Sequence, residues 1–356
     1  MPLSAKGLCC AGFSGTAQTT TDTLDPATDT WTNVTAITGA RDSAASFCTE
    51  FLTGATMAVL GGVLQKTSAE EFTHSGATWS SLTAIPSGGR QWAAAENLAT
   101  DGWLLTGYIS ALTTDIQKYD VTGNSWANDG TVNTGRYQLA SFADPWTMLK
   151  AFTVGGWTTV AVNVVEEFNS VGSTSTTMTV LPRTARFNSG ASAGAENAGY
   201  NFGAAVAPND DMHRYDIDAD TWAAETSCLA TTRQYSSGHA VGNGLYSAAD
   251  VGASSDSEKF NESTGTWVAI GDLTTNRYGP SGAGSPNSVT IPQTTVLGFY
   301  AIGDGSWTQF SAAAVETGSE YGAGVLLDGQ RTIYWRPATD IPGVQSANVQ
   351  IKLARY

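Results

Sequence analysis

The sequence predicts an all-β protein: a ring of six repeated four-stranded units with a small β-rich appendage behind it. Three observations carry that expectation. A motif running from an apolar residue to a Trp keeps recurring, an Arg follows it at a near-constant distance, and the composition suits short strands and tight turns. The 356 residues include 39 Gly, and only 14% are charged, against the ~25% usual for globular chains.

The motif sets the count. Leu24–Trp31, Phe72–Trp79, Tyr119–Trp126, Tyr215–Trp222 and Phe260–Trp267 each place an apolar or aromatic residue seven positions before a Trp. Successive Trp residues lie 48, 47, 96 and 45 residues apart. The long interval is double the others, so a degenerate copy belongs midway, at Phe168-Asn169-Ser170-Val171-Gly172-Ser173-Thr174-Ser175. Met178 or Val180 is expected to fill the space of its missing Trp. Self-similarity at such a period is the mark of a repeat architecture. The Thr, Gly, Asn and Asp inside each motif are hairpin-turn chemistry, and Asp25, Asp120 and Asp216 are read as turn formers rather than catalytic carboxylates.

The Arg residues are in phase with the motif. Arg41, Arg90, Arg136, Arg233 and Arg277 come ten or eleven residues after a Trp, and Arg183 or Arg186 takes that place in the degenerate copy. Between each Arg and the next motif an apolar run ends in Gly, as in Met57–Gly62, Trp103–Gly107, Ala151–Gly156, Tyr200–Gly203 and Val251-Gly252. Each unit therefore reads as four short strands. One such sheet cannot bury both faces alone, so neighbours must stack around an axis. The chain opens in mid-unit, with the apolar run Leu8–Gly12, and ends its last unit with a surplus Arg-led strand from Arg277. Pairing those two segments closes the ring and removes its free edges.

Taken together, these residues resemble the kelch repeat: a di-glycine after the second strand, then an aromatic residue and a Trp about seven residues apart, at a period of ~50. The resemblance spans roughly residues 8 to 285; two copies keep both glycines and one lacks the Trp. It implies a six-bladed β-propeller over residues 1–288. It also implies that the recurrent Arg starts the innermost strand near one mouth of the central channel. There Arg41, Arg90, Arg136, Arg186, Arg233 and Arg277 form a candidate ring for carboxylates, sulfates or anionic sugars, held by forked hydrogen bonds. Such regularity equally fits Arg residues paired with carbonyls or acids of the adjacent blade, and that structural role is favoured.

Residues 289–356 break the pattern. Val325–Trp335 reads as a hairpin with an Asp-Gly turn, and Val349–Leu353 alternates like a half-buried strand. A small appendage for docking or oligomerisation is expected, with a divergent seventh blade as the alternative.

Chemistry is sparse. His74, His213 and His239 fall in different repeat phases, so no metal site is expected, and no cofactor. Cys9, Cys10, Cys48 and Cys228 lack metal or disulfide spacing; they are expected as buried thiols, with adjacent Cys9 and Cys10 entering different cores. A net charge of -15 argues against a nucleic-acid partner. No apolar run is long enough for membrane insertion or for a signal-peptide core. Low charge, scarce Lys and abundant small polar residues suggest a non-enzymatic virion component of a tailed phage, made in the host cytoplasm. It would join a larger assembly of other virion proteins through its C-terminal segment and present the propeller to protein or host-surface glycan. The alternative is a kelch-type carbohydrate-active enzyme such as the sialic-acid mutarotases, with Glu50, Glu96 or Glu196 as the acid beside the Arg ring. An intracellular adaptor is the third reading.

Overall fold

Each motif forms a hairpin whose register sets its apolar residue directly opposite its Trp: Leu24 with Trp31, Phe72 with Trp79, Tyr119 with Trp126, Tyr215 with Trp222 and Phe260 with Trp267. The turn between them holds its sixth residue in the left-handed region in all six copies, at Asp29, Ala77, Asn124, Ser173, Asp220 and Gly265. Asp and Asn accept that conformation readily. The Asp at the head of the turn satisfies nearby backbone: Asp120 Oδ1 accepts from the Gly123 N–H at 2.9 Å and Asp25 Oδ1 from the Ala27 N–H at 2.9 Å.

These hairpins belong to a computed structural model. It describes residues 6–284 except 50–55, 64–65, 87, 194–196, 226–228, 230, 242–243, 251 and 263, together with three later strands, 297–302, 307–309 and 349–354. Residues 6–284 form six four-stranded antiparallel sheets, a six-bladed β-propeller. Blade one joins Ser281–Gly284 to Gly7–Cys10, Thr21–Asp25 and Thr30–Val34, so strand exchange between the two ends of the ring closes it. Blade two is Ala45–Cys48, Thr56–Leu60, Ala69–Thr73 and Thr78–Leu82. Blade three is Ala94–Leu98, Asp101–Ile109, Ala111–Asp120 and Ser125–Thr131. Blade four, built on the degenerate copy, is Ala140–Ala143, Lys150–Val154, Val165–Asn169 and Thr174–Thr177. Blades five and six begin at Ser189–Ala193 and Ser237–Val241. The first strands of successive blades touch in an unbroken cycle around the axis.

The core lies in the seams between blades. Cys9 packs into the seam with blade six and Cys10 into the seam with blade two, as the alternation of a strand requires. Trp residues seal the rim: Trp79 Nε1 donates to the Thr35 carbonyl at 2.9 Å, Trp126 to Thr83 at 2.8 Å and Trp222 to Thr179 at 2.9 Å, each in the preceding blade. In blade four, Ser175 stands opposite Phe168 in the register of the Trp. Neither Met178 nor Val180 replaces it. Trp103 of blade three covers Phe168 instead, with ring centroids 5.1 Å apart, while Met178 packs in the seam with blade five.

Seam contacts at the third residue of the first strand are matched in size. Phe47 and Phe142 are met in the next blade by Gly102 and Gly199, where any Cβ would overlap the ring. Ala191 and Ala283 share their clusters with the larger Leu245 and Met57. Large meets small and small meets large, which keeps the spacing of six unequal blades even.

The chain divides after Ser288. In the second unit Leu297–Ile302 pairs antiparallel with Trp307–Gln309 on one side and Val349–Ala354 on the other. The strand expected at Val349–Leu353 is present, whereas the hairpin expected at Val325–Trp335 lies outside the described residues.

The size match is directly testable. Gly102→Ala should destabilise the protein by about 1–3 kcal/mol through overpacking, and the loss should shrink when Phe47 is also cut to Ala. Denaturant titration of the four proteins of this cycle reads the coupling; additive losses would show that the seam is not the cause.

Candidate functional site

Four residues ahead of a first strand stand Arg41, Arg90, Arg136, Arg233 and Arg277. They are 0–1% exposed, among the largest fully buried side chains of the molecule. The hydrogen bonds their guanidinium groups make go to their own blade, not to the adjacent one. Arg136 Nη1 donates to the Gly155 and Val164 carbonyls at 2.7 and 2.8 Å, and its Nη2 to Glu166 Oε2 at 2.8 Å. Arg41 and Arg277 repeat the arrangement with Glu70 and Asp22, and Arg233 reaches Glu258 Oε2 through its Nε at 3.1 Å. In each case the acid is the second residue of the third strand, so the Arg ties the second strand's end to the third strand's start. These five guanidinium groups are blade struts and are not presented to a ligand.

Two blades depart from the scheme. In blade three the acid's place falls to Gln117, two residues before Tyr119, and the Arg90 guanidinium bonds the Thr106 and Asp115 carbonyls at 3.1 and 2.6 Å without a carboxylate. Burial brings Arg90 down to a pKa of about 10. In blade five the Arg register belongs to Ala185 and the acid register to His213, and a substitute pair does the work. Arg183 donates to the Gly203 and Pro208 carbonyls, both at 3.1 Å, and meets Asp211 at 2.8 Å. Arg186 is therefore out of phase with the other candidates. It is the one member of the expected ring that is not fully buried, and it directly precedes Phe187, which lines the central cavity.

The mouth is built by the residues that follow each Arg. The second residue after the register position is Ser43, Trp92, Gln138, Phe187, Tyr235 or Gly279, and all six have φ between 50° and 60°. Their backbones form a closed belt. The N–H of each donates to the carbonyl of its counterpart in the preceding blade, at 2.7–3.1 Å, all the way round. The αL conformation turns these side chains toward the axis, where they and their neighbours Asn188 and Ser236 line a cavity of about 110 Å³.

Three aromatic residues, Trp92, Phe187 and Tyr235, line that cavity, and further rings extend from them. Tyr108 and Trp92 lie 5.4 and 5.5 Å from Tyr137; Phe187 stacks on Tyr235 at 3.5 Å; Tyr235 meets Tyr278 at 5.6 Å, and Tyr278 meets Phe13 at 5.2 Å. Arg186 bridges the arc, its guanidinium carbon 4.2 Å from the Trp157 ring and 5.6 Å from that of Phe187. Most of these rings are half-exposed. Within the cavity wall, Gln138 Oε1 and Asn188 Oδ1 are buried acceptors with no hydrogen-bond partner among the described residues. Both oxygens are closed to the free space of the cavity as they stand, so a bound donor satisfies them once the side chains turn toward it.

The expected acids are elsewhere. Glu96 occupies the third position of its strand, the place of Phe47 and Phe142, and so faces the seam between blades three and four. It accepts from Ser141 Oγ at 2.6 Å, and burial lifts its pKa from 4.5 to about 7. Glu50 and Glu196 lie outside the described residues. His239 holds the same third position in the seam between blades six and one, beside Trp31 and Tyr246, and burial lowers its pKa from 6.5 to about 4. Among the described residues no three His, Cys, Asp or Glu side chains converge as a metal site.

The mouth residues carried a signal that the Arg obscured. Trp92, Tyr137, Phe187, Tyr235 and Tyr278 all lie one or two residues past the register position. Comparison with known protein families finds no matching family, and comparison with curated proteins finds no relative.

Two predictions follow from the buried charges. Glu166→Gln strands the Arg136 charge and should cost about 3 kcal/mol in stability. Gln117→Glu gives Arg90 the carboxylate its counterparts have and should shift stability the other way. Equal effects of the same sign in chemical denaturation would refute the strut assignment.

The seam groups predict a pH dependence. Glu96 is held protonated by the fold, so stability falls as pH rises from 4.5 to about 7. His239 is held neutral, so stability falls as pH drops from 6.5 to about 4. Between these limits the two slopes oppose one another. The stability gain of Glu96→Gln over wild type should thus grow by roughly 3 kcal/mol from pH 4 to pH 8, whereas that of His239→Phe grows toward acid. Melting curves across that range that stay parallel for Glu96→Gln and wild type would rule this out.

Proposed function

We propose that this protein is a non-enzymatic recognition module that binds carbohydrate at the mouth of its propeller. The observation that carries this reading is the aromatic crown around a cavity walled by unpartnered acceptor oxygens. Sugar rings present apolar C–H faces to aromatic side chains and hydroxyl donors to oxygens such as Gln138 Oε1 and Asn188 Oδ1. The one acid from the expected catalytic set that is described, Glu96, faces a blade seam, which favours binding over sugar conversion. The Gly-rich turns and aromatic–Trp spacing support a divergent kelch-type propeller.

The setting we propose is a virus particle, as a structural or adhesive component of a tailed phage. The support is compositional: net charge of -15, only 14% charged residues, and abundant small polar side chains. In that setting the second unit, Val289–Tyr356, fastens the protein to other virion proteins and the propeller faces a host-surface glycan.

Recovery of the protein with purified intact particles is the expected result; finding it only in soluble lysate would remove the virion setting while leaving the mouth's chemistry intact. For the mouth, Tyr235→Ala and Trp92→Ala should each lower glycan affinity by tenfold or more, since a stacked ring contributes about 1 kcal/mol and its neighbours shift with it. Isothermal titration with the full chain measures the loss, and unchanged affinity in both variants would overturn the site.

A further inference from the structure

Arg186 differs from every other described arginine at the level of its partners. Arg41, Arg136, Arg183, Arg214, Arg233 and Arg277 each pair with a carboxylate. Arg90 lacks one but is 1% exposed and enclosed by its blade. Arg186 has neither a carboxylate nor a hydrogen-bonded carbonyl for its guanidinium among the described residues, and its Nε is buried without a partner. In a chain of net charge -15, an arginine left without an acid beside a binding cavity is a charge held open.

Its surroundings fix its orientation. The guanidinium carbon lies 4.2 Å from the centre of the Trp157 ring, a cation–π contact that holds the group in place without using its N–H donors. Its positive charge also reaches Tyr235, counteracting the upward pull of burial on that phenol. Arg186 thus stands beside Phe187, which lines the cavity together with Tyr235, Gln138 and Asn188.

We infer that the glycan recognised at this mouth carries a carboxylate, and that Arg186 is the residue that selects it. The inference rests on the carbohydrate reading and narrows it from sugars in general to acidic ones. One ligand then meets three complementary surfaces. Its ring face lies on the aromatic arc, its hydroxyls donate to Gln138 and Asn188, and its carboxylate takes the in-plane fork of Arg186, a charge-assisted geometry of two parallel hydrogen bonds. A neutral sugar satisfies the first two surfaces and leaves the guanidinium unpaired.

The test uses the full chain and paired oligosaccharides: each ends in a hexuronic acid, and its twin is the same oligosaccharide with the carboxyl reduced to a primary alcohol. We expect the acidic members to bind about tenfold or more tightly than their twins, and the gap to narrow as salt is raised from 50 to 500 mM. Arg186→Gln should bring the acidic member down to the level of its twin, and Arg186→Lys should restore part of the difference. Equal affinity of twins for the wild-type protein would overturn the inference and spare the carbohydrate reading, as would an acidic preference that Arg186→Gln leaves intact. Absence of binding by either series would overturn the carbohydrate reading itself. The comparison of twins on wild-type protein needs no variant to fold.

Discussion

The mouth of the propeller depends on one interaction repeated six times: the backbone hydrogen bond that runs from Ser43 to Gly279, on through Tyr235, Phe187, Gln138 and Trp92, and back to Ser43. It needs no particular side chain, because both of its partners are main chain. It does need every donor in the αL region, which turns the N–H along the circumference and the Cβ toward the axis. A second set of bonds supports it. The N–H groups of Gly12, Gly62, Gly107, Gly156 and Ala204 donate to the carbonyl of the next blade's Arg register residue at 2.7–2.9 Å. In the first four of these the donor has φ above 100°, which only glycine adopts without strain. That geometry explains the second glycine of the repeat, and the seam it serves tolerates Ala204 where the backbone takes another course.

The belt separates architecture from recognition. Serine, glutamine, glycine and three aromatic residues all occupy its six equivalent positions, so the fold accepts nearly any side chain there. Non-glycine residues in αL cost roughly 1–2 kcal/mol each, and bulky ones are the least at home. Trp92, Phe187 and Tyr235 therefore sit where stability alone would favour Gly or Asn. The arginine struts behave in the opposite way. They recur because each blade must join the end of its second strand to the start of its third, and a buried fork with a buried acid does so. Blade five makes the point: when the register holds Ala185 and His213, Arg183 and Asp211 rebuild the strut from neighbouring positions.

Much of the fold was legible because it is written as a period. The doubled Trp interval located blade four, and the orphan strands at Leu8–Gly12 and past Arg277 announced the closure. The struts were half legible. Asp22, Glu70, Glu166 and Glu258 all stand two residues before the motif's apolar residue, a regularity as strong as that of the arginines they bind. Glu96, a candidate only under the enzyme alternative, faces a seam because distance from an Arg along the chain does not set which face of the strand a residue occupies. Its strand position matches that of Phe47 and Phe142, and the period of two puts it in the seam. The Gly252 assigned to the end of an apolar run also slipped: Ala249, with φ of 67°, holds the first place of that turn, where alanine gave no glycine signal. The missing Trp of blade four could not be traced locally, since its substitute, Trp103, comes from the previous blade.

The crown was hard to read for a physical reason, although its aromatics recur just past the register position. Its residues come together only after six separate segments converge on the axis, and Trp92, Phe187 and Tyr235 do so in a conformation that propensity disfavours. A repeat hides such a site well. Regularity draws attention to residues that every blade needs, and those residues are buried by that need. Recognition requires the reverse: positions held in place by the repeat yet released from its sequence. On the ring of αL residues the backbone is identical in all six blades and the side chains are not, and Arg186, a step out of phase, owes its freedom from the blade to the loss of the strut at Ala185.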